Sequence, residues 1–600
     1  MTFFQSVARF AAILSVGLSA VVALAQPVPV KLQKTDAGWQ LLRNGHPYVI
    51  KGVGGSGDKK LVASLGCNSI RTWGIGADTK KILDEAQSLG MTVTLGIWVG
   101  HERHGFNYNN AEQVGKLIDH AREAVAKYRD HPALLAWAIG NEMEGFKTGD
   151  NAAIWITVNH IAAMIKSMDP NHPTMTVIAE IGGQRVECVN RFLPAIDILG
   201  INSYGGVQSL IKRYKELGGT KPIIVTEYGP PGTWEVKKTA WNAAPELTST
   251  QKAERYAQAY RKTVMENPNL CLGSYAFTWG NKQEATATWF GILLPDGSRL
   301  QCADELAALW GGTVPANRCP RVEPLVLTGP DRVEPGQTVR VSLKATDPEN
   351  DKLDVRWSLS SEASEYGIGG DQEAEPPSFP EAIVKSSESE VELKMPTGRG
   401  GYRLFVQVRD GHGGAATANL PLFVNGVETM FKATAAKLPL IVIGEDGNQS
   451  PYVPSGWMGN HAAIGYDDKC TINPHTGTVC SKVEYRAPDG FGGIVWQDPA
   501  NDWGNAPGGR DLTGATRLVW WARGENGGER VKFSYGVLGP DKKFRDTATD
   551  TVEVTLSNEW KEYSLKLLGK DLRCIKTGFA WVVGGQGKPV TFYIDDARYE

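Results

Sequence analysis

Two glutamates close two short apolar runs, Leu134-Leu135-Ala136-Trp137-Ala138-Ile139-Gly140-Asn141-Glu142 and Pro222-Ile223-Ile224-Val225-Thr226-Glu227-Tyr228-Gly229. An apolar run that stops at a turn former reads as a buried strand, so each carboxylate sits where a strand gives way to a loop. Two carboxylates that face one substrate can divide the work of acid and nucleophile between them, which is the chemistry that cleaves a glycosidic bond.

Glu142 suits the general acid. A carboxyl that must keep its proton near neutral pH needs burial or a neighbouring negative charge, and Glu227 opposite would supply that charge. The competing reading is a strand-end Glu that caps the next helix; against it stands Asn141, whose amide can bond a sugar hydroxyl. Glu227 suits the nucleophile, which attacks the anomeric carbon and forms a glycosyl-enzyme intermediate that water resolves while Glu142 turns from acid to base. That role requires an ionised group, and two residues could donate hydrogen bonds to it: Arg71, in Ser69-Ile70-Arg71-Thr72-Trp73, and Tyr204, in Ile201-Asn202-Ser203-Tyr204. Retention of configuration needs the two carboxyls about 5 to 5.5 Å apart.

Aromatic residues gather at the same strand ends: Trp73, Trp98, Trp234 and Trp279. A pyranose presents an apolar C–H face that stacks on indole, which makes Trp279, after Tyr275-Ala276-Phe277-Thr278, the candidate floor of the sugar site and Trp98 a second platform. His101 and His104 lack a third and fourth ligand, so no metal is expected, and His101 is assigned to hydrogen bonding with substrate or a catalytic Glu. Glu102, Glu144 and Glu180 are competing carboxylates near strand ends, but none combines a preceding Asn with a facing partner, so they rank as loop or subsite residues.

Something must hold these residues at one rim. Eight apolar runs, at 48–53, 69–73, 92–98, 134–139, 174–179, 196–201, 223–226 and 273–278, alternate with stretches of helical period such as 78–89, 111–128, 152–168 and 250–266. Eight strand-helix units predict a closed (β/α)8 TIM barrel, which keeps its chemistry at the C-terminal ends of the strands. The alternative, an open doubly wound sheet, would carry a phosphate loop after its first strand, and Gly54-Gly55-Ser56-Gly57 lacks that spacing. After Cys319 short alternating runs replace the helical period. Residues 321–425 predict an immunoglobulin-like β-sandwich that acts as a spacer, and 426–600 a β jelly roll. Asp347-Pro348-Glu349-Asn350-Asp351 reads as a solvated turn or a calcium loop. Trp496 and Trp503 are candidate sugar platforms of the last domain.

Six hundred residues, 42% of them hydrophobic, exceed what one core organises. The expected division is 1–25, a signal peptide; 26–320, the barrel; 321–425, the sandwich; and 426–600, the jelly roll. A net charge of -3, from 63 basic and 66 acidic residues without long runs of either, gives no reason to expect nucleic acid or anionic lipid as a partner. Arg9, the apolar stretch 10–24 and Ala23-Leu24-Ala25 form a secretory pattern with cleavage after Ala25, hence a secreted or periplasmic protein without an integral membrane segment; an uncleaved anchor is the alternative. Export permits disulfides among the eight cysteines, with Cys470–Cys480 and Cys302–Cys319 as the expected pairs.

Asn141-Glu142, Glu227, Arg71, Tyr204 and Trp279, in this order along a barrel, resemble the retaining glycoside hydrolases of clan A, whose catalytic glutamates follow strands four and seven. The barrel is similar to those of family 2 and of β-glucanases. The resemblance implies retained β configuration and no catalytic cofactor. The chain ahead of the first strand is too short for the N-terminal sandwiches of family 2 β-galactosidases, which argues against that activity. The last domain resembles jelly-roll carbohydrate-binding modules, which implies that it could carry a structural calcium. The expectation is therefore a monomeric, exported, retaining β-glycoside hydrolase acting on a polysaccharide, a β-glucan and in the first place a β-1,3-glucan. The alternatives are a β-glucan transglycosylase using the same residues and a noncatalytic carbohydrate-binding protein of the envelope.

Overall fold

The computed structural model describes residues 26–363, 373, 375–425, 433–445, 450–539 and 542–600. The expected signal peptide lies outside them. Three short antiparallel strands come first: β1 (Val30–Thr35), β2 (Gly38–Arg43) and β3 (His46–Pro47). Eight parallel strands then close a barrel: β4 (Ile50–Gly54), β5 (Ser69–Arg71), β6 (Thr92–Ile97), β7 (Leu134–Ile139), β8 (Thr174–Ala179), β9 (Ile198–Asn202), β10 (Ile223–Tyr228) and β11 (Cys271–Phe277). Strand β11 pairs back onto β4, so the sheet has no free edge.

All six residues of β7 are buried, because its inner face fills the barrel and its outer face lies under helices. The helices Ala111–Tyr128 and Ala152–Met168 occupy the ranges that their period predicts. Asn110 caps the first of them by accepting from the N–H groups of Glu112 and Gln113, and Thr248 with Gln251 forms a capping box before Ser249–Tyr260.

The N-terminal strands, too short and too polar to leave a clear periodic signature, stop the bottom of the barrel. Trp39 N–H donates to the Asn269 carbonyl and Val30 N–H to that of Asn171, both just before barrel strands begin. Val30 and Leu41 join Ile50, Leu135, Met175, Ile224, Leu272 and Tyr275 in one apolar cluster. Above them the Tyr275 hydroxyl meets Ser69 Oγ at 2.9 Å and Thr94 Oγ1 at 2.5 Å inside the barrel. A Cβ on Gly52 would fall 2.3 Å from the Tyr275 ring, so only glycine fits there.

The middle region is a two-sheet sandwich with its own core, including Val341, Leu359, Leu393, Leu404 and Val406. One of its sheets takes in a strand from the barrel side: β12 (Arg299–Leu300) pairs with Gly414–Val424. The last region stacks two further sheets around Trp520, Phe533, Phe579, Trp581 and Phe592, as a jelly roll does. No helix among the described residues is long and apolar enough to cross a membrane.

The disulfide expectation needs correction. All eight cysteines are buried free thiols, so the Cys302–Cys319 and Cys470–Cys480 bonds are not formed, although the strand register sets Cys470 opposite Cys480. Among the described residues the acidic group that could hold a metal is Asp347, Glu349 and Asp351 of the middle sandwich, with ligand atoms within 4.8 Å of one another. The adjacent Asp595 and Asp596 of the jelly roll are instead engaged by His475 and Thr476.

Candidate active site

The barrel closes so that Arg71, Asn202, Glu227 and Phe277, at or near the ends of β5, β9, β10 and β11, meet Asn141 and Glu142, which follow β7. The turn after β7 is sharp: Gly140 has φ 75° and Glu142 φ 52°, and Glu142 N–H donates to the Val177 carbonyl of β8 at 3.0 Å. A left-handed conformation in a residue with a side chain carries a backbone cost that the surrounding fold must offset, and such residues cluster at functional sites.

Three donors converge on Glu227. Arg71 Nη1 lies 2.9 Å and Trp73 Nε1 3.0 Å from Oε1, and the Tyr204 hydroxyl is 2.8 Å from Oε2. This suits a carboxylate, which can only accept. Arg71 is buried, also donates to the Thr226 carbonyl, and reaches Asn141 Oδ1 with Nη2 at 2.6 Å. Asn202 Nδ2 completes the link, donating to Glu142 Oε1 at 2.7 Å and to Asn141 Oδ1 at 3.2 Å. A continuous polar chain therefore runs from Glu142 through Asn202, Asn141 and Arg71 to Glu227. Charge-assisted bonds of this kind are the strong ones, and a linked network holds its members in register.

The surroundings separate the two glutamates. The Glu142 carboxyl is pushed up to about 8, first by burial and then by the charge of Glu227, against the opposing bond from Asn202. Burial, with the charges of Glu227 and Glu142 added, lifts the Tyr204 hydroxyl well above its ordinary range, so Tyr204 remains a donor. Glu284, in the loop after β11, is likewise raised, chiefly by burial, while its ion pair with Lys282 opposes the rise.

Of the residues expected at the site, Arg71, Asn141, Glu142, Tyr204 and Glu227 come together. His101 is buried against this group, with Nε2 2.7 Å from the Asn141 carbonyl. Trp98 is 42% exposed at the end of β6 and stacks on the His101 ring at 4.8 Å. Trp279 is a correction: it is 2% exposed, its Nε1 donates to the Asp58 carbonyl, and its ring packs on Gly57, which leaves no face for a sugar. The aromatic at the end of the eighth strand is Phe277, half-buried and within 6.0 and 6.2 Å of the Trp73 and Tyr204 rings. Trp496 is a second correction, a core residue at 2% exposure against Tyr466 and Phe579. Trp503 is half-buried over Gly456. Glu144 pairs with Arg185, Glu180 with Arg213 and Ser203, and Glu102 with Asn151, outside the network.

The sequence marked Trp73 as a rim aromatic but not as a donor to Glu227, and did not mark Asn202 or Phe277. Each left a trace there: Trp73 lies two positions beyond Arg71, Asn202 is the polar end of an apolar run, and Phe277 is the aromatic that ends the last barrel strand, two positions before Trp279.

The comparison with known families bears on this barrel. Residues 77–263 match the family model of Glycosyl hydrolases family 2, TIM barrel domain. The matched stretch includes Asn141, Glu142, Asn202, Tyr204 and Glu227 and supports a glycoside hydrolase; Arg71 and Phe277 fall outside it. No curated protein matches the sequence significantly. Among solved structures, a calcium-binding mutant of Bacteroides uniformis beta-glucuronidase 2 aligns at TM-score 0.38 and 13% identity, over 94% of this chain and 67% of the other. The beta-D-glucuronidase of Dictyoglomus thermophilum aligns at TM-score 0.37 and 17% identity, over 47% of this chain and 54% of its own. The endo-beta-1,4-mannanase of Thermotoga petrophila aligns at TM-score 0.32 and 14% identity, over 64% and 99%.

Proposed function

We propose that the protein is an exported, retaining β-glycoside hydrolase of polysaccharides that acts by double displacement, with β-glucan, and β-1,3-glucan first, as its substrate class. The observation that carries this reading is the pair of unlike glutamates at one rim: Glu227 held by three donors, and Glu142 raised to about 8 beside it. In the first step Glu142 gives its proton to the glycosidic oxygen as Glu227 bonds to the anomeric carbon and the leaving sugar departs. In the second, Glu142 takes a proton from water, whose oxygen displaces Glu227 and restores the configuration. Asn141 Oδ1 is taken by Arg71 and Asn202, and its amide nitrogen can donate to a sugar hydroxyl, while Trp98 offers an exposed ring beyond the cleaved bond. An appended jelly roll favours a polymer, since tethering raises local concentration only when the substrate extends beyond the cleft.

Reducing-sugar release from β-1,3-glucan, β-1,4-glucan, mannan, galactan and xylan tests the proposal. The first product should be the β anomer by NMR, and Glu227→Ala should lower turnover about 10^4-fold or more. An α anomer as first product would refute retention, and an active Glu227→Ala protein would remove the assignment. Longer oligosaccharides formed in place of reducing sugar would identify a second sugar, not water, as the acceptor.

A further inference from the structure

The sandwich after the barrel has the position of a spacer but not its contacts. Strand β12 joins its sheet, with Arg299 opposite Gly414 and Leu300 opposite Ala415, and Leu294, Leu300 and Ala415 share an apolar cluster. Thr417 N–H donates to Ser249 Oγ at 2.9 Å, at the start of a barrel helix.

The densest contact surrounds Glu246, whose side chain is 1% exposed. Its Oε1 accepts from Lys252 Nζ and from Thr288 Oγ1, the latter at 2.8 Å. Its Oε2 accepts from Thr286 Oγ1 at 2.7 Å and, from the sandwich, Asn419 Nδ2 at 2.6 Å. Arg403, a sandwich residue with a side chain 1% exposed, donates to Asn419 Oδ1 at 2.7 Å, to the Ala244 carbonyl at 2.8 Å and to Glu362. Glu246 therefore ties the sandwich to Thr286 and Thr288, both in the loop that follows β11.

That loop reaches the cleft. Phe290, at its end, packs on the Tyr204 ring at 5.2 Å and on Phe277 at 5.7 Å, and Tyr204 is the donor to Glu227 Oε2. Ala285 N–H also donates to Glu373 Oε2 at 2.6 Å, a second hold by the sandwich on the same loop. A buried carboxylate with four side-chain donors has one arrangement in which all are satisfied, so a change on the sandwich side moves the loop threonines as well.

We propose that the sandwich forms a working wall of the catalytic cleft, with Arg403 and Asn419 as positioning residues that act through Glu246 on the loop 284–290 and so set Phe290 and Tyr204 against Glu227. The proposal rests on reading Glu227 as the nucleophile. Asn419→Leu removes the sandwich donor to Glu246, yet leaves Arg403 paired with Glu362 and Glu246 with Lys252. Thr286→Val with Thr288→Val cuts the same link from the loop side.

In the full chain, both variants should speed amide hydrogen exchange across 284–290 about tenfold or more and lower kcat on 4-nitrophenyl β-D-glucoside about tenfold, with KM within about twofold. Combining them should cost no more than either alone, because both break one link. Unchanged exchange in the loop of both variants would overturn the proposal. So would a lower Tm with unchanged kcat per folded molecule, since that marks a merely structural contact. A wild-type chain that cleaves no glycoside would instead end the hydrolase reading, and loop exchange would still decide whether the sandwich holds this wall.

Discussion

Glu142 and Glu227 carry the same group at similar strand ends, yet their surroundings differ. Glu227 meets three donors, whereas Glu142 meets one amide and the charge of its partner. Because the acid must be protonated, kcat/KM should hold through neutral pH and fall as pH passes about 8. Stability carries the same signature. The Glu142 carboxyl loses its proton near 4.5 when unfolded and near 8 when folded, so between these values the folded state holds a proton that the unfolded chain has released. Its contribution is fully present below 4.5, declines as pH rises to 8, and is level beyond. Glu142→Gln removes that decline. The Tm of wild type relative to this variant should therefore drop between about pH 5 and pH 8 in calorimetry, and a parallel pair of curves would contradict the assignment.

At the scale of elements, strands aim the site and the segments after them shape it. Strand β4 has room for Tyr275 only because Gly52 has no side chain. Gly52→Ala should cost about 1 to 3 kcal/mol of unfolding free energy by denaturant titration, as overpacking of a filled interior does. The segment after β6 presents Trp98 with one ring face against His101. Trp98→Ala should raise KM for β-1,3-glucan about tenfold while kcat/KM for 4-nitrophenyl β-D-glucoside changes less than about twofold, because the small substrate ends before that platform. Equal losses on both would place Trp98 at the cleaved sugar instead.

Across the whole molecule the three regions are unequally joined. The jelly roll has a core of its own, whereas the sandwich shares a sheet, an apolar cluster and a buried ionic network with the barrel. A chain ending at about residue 425 should keep its kcat/KM on 4-nitrophenyl β-D-glucoside and lose activity selectively on insoluble glucan. One ending at about residue 320 should lose soluble expression or show a broadened thermal transition, since β12 and the Glu246 network would be left without partners.

Eight apolar runs, their turns and the intervening helical period were enough to specify a closed barrel, because a parallel strand buried on both faces leaves a nearly continuous apolar signature. Strand ends likewise marked Arg71, Glu142 and Glu227, since a polar residue that stops such a run has few places to go except the rim. Local pattern could not tell Trp279 from Phe277: both are aromatic and two residues apart, and only the path of the chain past Gly57 and Asp58 buries one and leaves the other beside Tyr204. Nor could it show that Asn419 would reach Glu246 across 173 residues, because a long-range hydrogen bond leaves no periodicity in either segment. Which residues belong to a strand is settled by neighbours in the chain; which of them share a cleft is settled by how the barrel and the sandwich close on each other.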